Sequence, residues 1–113
     1  YEDHEPVAIA YCAPEKMTKG TWNLYLIAVH PSRQGKGIGT SMVRYIEQIL
    51  KKRGERLLLV ETSGLAEFDR TRAFYRQCGF DEEARIREFY QVGEDKIVFR
   101  KSLSDTKKII VFN

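Results

Sequence analysis

The hydrophobic and polar positions change period several times along the chain, which predicts strands and helices in alternation. Residues 6–13, PVAIAYCA, and residues 21–29, TWNLYLIAV, are rich in strand-forming residues, and the polar segment 14–20 between them ends in glycine, as turns often do. The second run has little polar interruption, which favours an interior strand of a sheet. Pro31 marks its end because proline has no N–H to donate to a strand ladder.

The period of the pattern changes at Ile38. From there apolar residues recur at steps of three and four with charged residues between them, which predicts an amphipathic helix that ends after a basic last turn at Gly54. The short apolar run 57–60 predicts a strand that is covered on both faces. Asp69 is a candidate cap for a second helix running through Cys78, with Gly79 after it.

The last third of the chain predicts a hairpin and one further strand. Residues 84–91 and 96–103 flank the turn sequence VGED, and residues 107–112, KKIIVF, have strand character. The predicted order is therefore β-β-α-β-α-β-β-β. This order indicates an α/β or α+β fold with helices packed on a sheet.

Composition narrows the class of protein. The 113 residues suffice for one domain with one modest core, and 42% hydrophobic residues is typical of a globular chain. No apolar run approaches the roughly 20 residues that span a bilayer, and no signal peptide is visible. The net charge of +3 is too small to indicate nucleic-acid binding. Cys12 and Cys78 lie far apart, which predicts reduced thiols in the cytoplasm. Neither the two histidines, His4 and His30, nor any carboxylate cluster predicts a metal site.

A glycine-rich loop lies between the second predicted strand and the first predicted helix. Gly35, Gly37 and Gly39 alternate with other residues, and Arg33 and Lys36 add positive charge. The N–H groups of a helix N-terminus bind anions, and glycines let a bulky phosphate approach the main chain, so the loop predicts a phosphate or pyrophosphate cradle. An ordinary strand-to-helix turn with solvated basic residues explains the same pattern. Neither the G-x-x-x-x-G-K-[ST] loop nor the G-x-G-x-x-G fingerprint fits it.

Two motifs occur in order on the predicted elements. Residues 34–39, QGKGIG, have the form Q/R-x-x-G-x-G/A and follow a strand that ends in LIAVHP, and residues 73–80, AFYRQCGF, have the form FY-x-x-x-GF. Together they resemble the GNAT superfamily, the acetyl-CoA-dependent N-acetyltransferases. The resemblance covers residues 6–103.

The resemblance implies a particular fold. It is a mixed, mainly antiparallel central sheet flanked by helices, in which the strands at 21–29 and 57–61 splay apart and the pantetheine arm enters the gap. Residues 1–113 would then form a single, N-terminally truncated domain that lacks the first strand and helices of the family. Residues 104–113 would add a strand or tail. The open sheet edge left by the missing segment predicts pairing with a second copy of the chain.

The resemblance also implies acetyl-CoA as cosubstrate and no metal. Amides of the loop and Thr40 would hold the pyrophosphate, and the end of the second strand would pair with pantetheine. Tyr75 would face the sulfur as an acid for the leaving thiolate, with a purely packing role as the alternative. The implied cofactor-binding residues are Ile27, Ala28, Val29, Arg33, Gln34, Gly35, Lys36, Gly37, Ile38, Gly39, Thr40 and Tyr75.

The acceptor side is less defined. Asn23 stands where some family members have a glutamate; it cannot act as a base, but it can orient a water molecule. Glu61 is the next candidate base, a water chain is the alternative, and a neighbouring Arg85 or Arg87 would make Glu61 a poorer base. The mixture of aromatic and charged residues on the hairpin side suits a small polar amine or a peptide N-terminus, although two faces of an ordinary hairpin would look alike. These residues are Glu61, Thr62, Ser63, Phe68, Arg85, Arg87, Phe89 and Tyr90.

Two functions of different class follow. The first is an N-acetyltransferase that passes the acetyl group of acetyl-CoA to a primary amine by direct transfer in a ternary complex, with no nucleic-acid or membrane partner. The second is a noncatalytic acyl-CoA-binding or interaction module with the same fold. A nucleotide or nucleic-acid binder that uses the basic glycine loop is a third interpretation.

Overall fold

The computed structural model describes residues 7–104. Five strands and two helices follow one another, with short 3-10 turns at Pro31–Arg33 and Ala66–Phe68. The predicted strand at 107–112 lies outside the described residues. The elements are β1 (Ala8–Pro14), β2 (Thr21–Val29), α1 (Ile38–Lys52), β3 (Leu57–Ser63), α2 (Asp69–Gln77), β4 (Asp81–Gln91) and β5 (Glu94–Ser102).

The five strands form one mixed sheet in the order β1-β2-β3-β5-β4. Only β2 and β3 are parallel, and the other three pairs are antiparallel. The predicted mixed, mainly antiparallel sheet with flanking helices is therefore confirmed. The outer strands of the described sheet are β1 and β4.

The hydrophobic core lies on one face of the sheet. Leu58 and Val60 of β3 alternate toward it, as do Ile97 and Phe99 of β5, and buried residues of both helices complete the cluster. Leu57, Leu59 and Glu61, on the opposite face of β3, are only half-buried. The prediction that β3 is covered on both faces is therefore wrong for the described part of the chain, because both of its helices pack on the same face.

The two central strands separate partway along their length. Their ladder pairs Thr21–Leu24 with residues 57–60, and β2 then continues for five residues without a partner on that side among the described strands. At Tyr25 the pairing of β2 with β1 also shifts register, so an extra residue bulges out of the ladder. Bulges bend a strand and increase its twist, which turns the end of β2 away from β3. The predicted splay is confirmed.

The sequence predicted the end of α1 correctly but not the start of α2. Helix α1 ends at Lys52, and Gly54 follows with a φ of +81°, a left-handed conformation that favours glycine. Asp69, however, is not the cap of α2. The 3-10 turn that ends at Phe68 runs directly into the helix, so Asp69 is already its first residue and bonds to Arg72 instead.

The hairpin is tighter than predicted. Strands β4 and β5 are joined by Val92 and Gly93 alone, and Gly93 has a φ of +81°. Both strands begin earlier than their patterns suggested, because Asp81 pairs with Arg100 and the acidic residues after the turn join the ladder. At the start of β4 the charged residues are tolerated because β4 is an outer strand, with one edge facing solvent.

Candidate active site

One cleft joins the end of β2, the glycine loop, the start of α1 and the first half of α2. Its volume is about 590 Å³. It brings together ten of the twelve predicted cofactor-binding residues, whereas Ala28 and Lys36 do not line it. The ten are Ile27, Val29, Arg33, Gln34, Gly35, Gly37, Ile38, Gly39, Thr40 and Tyr75.

Three residues of α2 also line the cleft, although the sequence did not indicate them as cofactor contacts. They are Arg70, Thr71 and Phe74. A signal for them was present, because Thr71 lies four residues before Tyr75 and therefore on the same helical face. Arg70 brings a second cationic side chain to the same cleft as Arg33.

The N-terminus of α1 is open to the cleft. Gly37 is its N-cap, in a left-handed conformation with a φ of +79°, and it supplies no side chain to accept from the first-turn N–H groups. No acidic residue occupies that first turn. A Cβ at Gly35 or Gly37 would meet nothing within 4 Å, so backbone conformation rather than crowding requires glycine there. Uncapped N–H groups and the helix dipole favour an anion at this position.

Gly39 is needed for a different reason. A Cβ built on Gly39 would lie 3.2 Å from Cζ and 3.3 Å from Cε1 of Phe74. The missing side chain lets α1 pack closely against α2 and closes one wall of the cleft. Gly39 therefore has a packing role in addition to its predicted place in the anion-binding loop.

Side chains fix the loop before α1. Gln34 Nε2 donates to the carbonyl of Val29 at 3.1 Å and ties the loop to the end of β2. The backbone N–H of Ser32 donates to His30 Nδ1 at 3.2 Å, so His30 caps the first 3-10 turn. The backbone N–H of His30 donates to the carbonyl of Val7 at 2.7 Å. These contacts hold the loop in place before any ligand binds.

Tyr75 lies in a buried aromatic cluster at the cleft wall. It is 5% exposed, and its ring packs edge-on against Phe74 at 5.2 Å and against Phe80 at 5.7 Å between ring centroids. Burial raises the pKa of Tyr75 to about 12, with a smaller contribution from Cys78. The phenol is therefore protonated throughout the neutral range and can donate a hydrogen bond into the cleft.

Asn23 and Glu61 meet where β2 and β3 begin to splay. Asn23 Nδ2 donates to Glu61 Oε2 at 3.1 Å, and Lys96 Nζ donates to Glu61 Oε1 at 3.1 Å. Lys96 also lies 3.9 Å from the centroid of the Phe89 ring. Because strand residues alternate between faces, these groups lie on the sheet face opposite the core. Tyr75 and Glu61 thus approach the gap from opposite sides.

The ion pair of Glu61 is not one of the arginine pairs considered from the sequence. Arg85 forms an ion pair with Asp95. Lys96, which the sequence analysis did not single out, provides the positive charge. The alternation of side chains along β5 places Lys96 on the same face of the sheet as Glu61. Which residue of β5 lies beside Glu61 depends on the register of β5 against β3, and neither strand's sequence alone gives that register.

Two further properties concern only the described residues. Within 7–104, no group of three or more histidine, cysteine, aspartate or glutamate residues is arranged to hold a metal ion. No helix in that same stretch is long and apolar enough to cross a membrane.

Comparison with known structures extends these observations. The chain is similar to a GNAT-family protein from Desulfovibrio desulfuricans at 38% identity and a TM-score of 0.90, over 92% of this chain and 65% of that one. The chain therefore spans about two thirds of the length of that protein. No functionally curated protein sequence matches the chain significantly.

Two more distant structures share the fold alone. The ribosomal-protein-S18-alanine N-acetyltransferase from Escherichia coli has 24% identity and a TM-score of 0.78, over 99% of this chain and 71% of that chain. A Bacillus subtilis acetyltransferase in complex with CoA has 20% identity and a TM-score of 0.80, over 92% and 74%.

The sequence model of the acetyltransferase (GNAT) domain matches residues 1–82, which is well over half of the chain. The match includes the glycine loop, α1 and α2, the elements that build the cleft. The chain belongs to the GNAT acetyltransferase domain family.

Proposed function

We propose that this chain is an N-acetyltransferase that transfers the acetyl group of acetyl-CoA directly to a primary amine of a small molecule or peptide. The observation that carries the proposal is the cleft itself. It combines a helix N-terminus that has no side-chain cap with a buried phenol and with an edge of β2 that is unpaired among residues 7–104. The B. subtilis neighbour, which was solved with CoA, supports the same ligand class.

The residues of the cleft fit the parts of acetyl-CoA. The N–H groups of the N-cap Gly37 and of Ile38 in the first turn suit the pyrophosphate, which is the most concentrated negative charge of the molecule. The free edge of β2 at Ile27 and Val29 offers main-chain donors and acceptors to the amides of pantetheine, like an added strand. Arg70 adds positive charge to the same wall.

Tyr75 acts on the thiol side of the reaction. The amine nitrogen forms a bond to the carbonyl carbon, the carbon–sulfur bond then breaks, and the sulfur leaves with its electron pair. Full proton transfer from a phenol of pKa about 12 to a thiolate whose acid has a pKa of about 8.5 is uphill by roughly 5 kcal/mol. Tyr75 therefore acts first as a hydrogen-bond donor that stabilises the developing thiolate.

The amine side needs a proton acceptor, because an ammonium ion has no lone pair. Glu61 lies at the root of the gap, and both of its oxygens already accept a hydrogen bond, one from Asn23 and one from Lys96. A water chain that leads the proton to bulk solvent is the alternative acceptor. The pH profile of a Glu61→Gln variant separates the two.

The second candidate function, a noncatalytic acyl-CoA-binding module, is favoured by the pairing of Glu61 with Lys96. Calorimetric titration with acetyl-CoA tests the cleft, and thiol release across a panel of amines then distinguishes the functions. Binding with amine-dependent thiol release supports the enzyme, and binding without it supports the module. An absence of binding would contradict both.

Two further properties belong to the same proposal. Cys12 and Cys78 are free thiols, which supports a reducing, cytoplasmic setting. Within residues 7–104 no strand pairs with the outer edge of β1, so we also propose a homodimer through this sheet edge.

A further inference from the structure

The free edge of β2 ends in a carbonyl group that a side chain already occupies. The N–H of His30 donates to the carbonyl of Val7 at 2.7 Å, on the β1 side of the strand. Because the C=O and N–H of one trans peptide unit point in opposite directions, the carbonyl of Val29 points away from β1. There it accepts a hydrogen bond from Nε2 of Gln34 at 3.1 Å. Val29 and Gln34 both line the cleft.

This hydrogen bond lies on an accessible part of the site. Gln34 is exposed and Val29 is half-buried, so a ligand in the cleft can reach the contact. A net hydrogen bond of this kind changes an equilibrium constant by only about 2- to 12-fold. A long side chain also loses rotamer entropy when it is held in one place. The bound and released positions of the Gln34 side chain therefore have similar free energies, and a competing donor can exchange them.

The turn before the glycine loop has other hydrogen bonds that keep its shape. The N–H of Arg33 donates to the carbonyl of His30 at 2.8 Å. The N–H of Ser32 donates to Nδ1 of His30 at 3.2 Å. Neither bond involves the side chain of Gln34, so that side chain can leave Val29 while the turn stays folded.

The donor of Gln34 has the same chemistry as the donors of pantetheine. Both are amide N–H groups, and a ligand that pairs with the edge of β2 like an added strand needs the Val29 carbonyl as an acceptor. Exchange of one amide donor for the other leaves this carbonyl paired before and after the ligand binds.

We propose that the Gln34 side chain is an internal substitute for a pantetheine amide, which caps the Val29 carbonyl in the unliganded protein and is displaced when CoA binds. This inference rests on the proposed function and adds a conformational step to cofactor recognition. The capped form lowers the apparent affinity for CoA, because only the uncapped fraction can pair with pantetheine. ADP carries a pyrophosphate but no pantetheine, so it should leave Gln34 on Val29.

The direct test is nuclear magnetic resonance of ¹⁵N-labelled protein with CoA and with ADP. The side-chain NH₂ signal of Gln34, assigned by its loss in Gln34→Met, is followed while the backbone amide of Gly37 reports occupancy of the glycine loop. In the unliganded protein, one proton of this pair should exchange with water more slowly than in a solvated glutamine. We expect CoA to abolish this protection and ADP to preserve it.

A variant gives the second measurement. Gln34→Met has a similar length but no donor, so the Val29 carbonyl is always open to a ligand. We expect its affinity for CoA to rise about 2- to 12-fold, as for loss of one competing hydrogen bond, with the affinity for ADP unchanged. A purely structural role of Gln34 predicts the opposite sign, because a loosened loop would bind both ligands more weakly. Gln48→Met, at an exposed glutamine of α1 that does not line the cleft, is the matched control and should retain the parent affinities.

The outcomes separate this inference from the proposed function. If CoA shifts the Gly37 amide but leaves the Gln34 side chain protected, the inference is wrong and the proposed function stands. Release of Gln34 by ADP, or CoA binding by Gln34→Met that is no tighter than the parent's, also overturns the inference. If CoA leaves the Gly37 amide unchanged, the proposed function fails and the inference falls with it.

Discussion

The two ends of α1 allow the anion-binding role of the glycine loop to be separated from backbone strain. Gly37 precedes the helix with a φ of +79°, and Gly54 follows it with a φ of +81°. A Cβ at either position would meet nothing within 4 Å. Gly37→Ala and Gly54→Ala therefore impose the same conformational penalty, but only Gly37 lines the cleft.

The stability effect should be similar in the two variants. A non-glycine residue in the left-handed region costs about 1–2 kcal/mol, which lowers Tm by roughly 4–8 °C per kcal/mol in a domain of this size. This penalty is present with and without ligand, so it cancels from the binding free energy of a variant that remains folded. Thermal unfolding of both variants checks that the penalty is matched.

Binding of CoA should then differ between the variants. Because Gly37 lines the cleft, we expect a methyl group there to hinder close approach of the pyrophosphate to the first-turn N–H groups. Loss of one charge-assisted hydrogen bond costs about 1.5–3 kcal/mol, which is a decrease in affinity of roughly 10- to 150-fold. Calorimetric titration should show this loss for Gly37→Ala and the parent affinity for Gly54→Ala. Equal affinities in the two variants would refute the anion cradle.

Three further changes test other parts of the site. Tyr75→Phe should lower turnover about 100-fold with CoA affinity unchanged, whereas unchanged turnover would reduce Tyr75 to a packing role. The pKa of Tyr75 is about 12 in the folded protein and about 10 in the unfolded chain, so its contribution to stability is complete below pH 10 and is lost as the pH rises. In urea unfolding, the free energy of unfolding of the parent should therefore fall by about 2 kcal/mol more than that of Tyr75→Phe between pH 10 and 12. Equal pH dependence in the two proteins would contradict the buried phenol. Glu61→Gln should remove the acidic limb of the pH–rate profile if Glu61 is the base, and a parent-like rate and profile would indicate the water chain. Gly39→Ala should destabilise the fold by about 1–3 kcal/mol, because the added methyl group overpacks against Phe74. Adding Phe74→Leu to this variant should restore part of the lost stability. If Gly39→Ala costs the same stability with Phe74 as with leucine at position 74, this contact is not the cause.

The sequence specified local structure well where a single residue type controls the backbone. Gly54 ends α1 because the left-handed conformation after a helix favours glycine, and this could be read from the chain. The start of α2 could not. Asp69 has the chemistry of a cap, but the preceding 3-10 turn made it helical already, and no local pattern distinguishes the two arrangements.

The residues of the candidate site also differ in how well the sequence predicts them. The residues of the glycine loop are contiguous, so a motif finds them together. Glu61, Asn23 and Lys96 come from three strands, and their contact depends on strand register and on the point where β2 and β3 separate. Register is set by long-range pairing. The sequence therefore suggested Glu61 and Asn23 one at a time but could not supply Lys96.

Transfer of the acetyl group can be observed at the acetyl carbon itself. Acetyl-CoA labelled with ¹³C at the carbonyl is mixed with the protein and a panel of primary amines, and the carbonyl signal is monitored by nuclear magnetic resonance. We expect the thioester signal to be replaced by an amide signal as free thiol appears in equal amount, and we expect Tyr75→Phe to slow this replacement. A thioester signal that persists with every amine, although acetyl-CoA binds in the cleft, would contradict the proposed acetyltransferase and leave a module that binds acyl-CoA without transferring its acyl group.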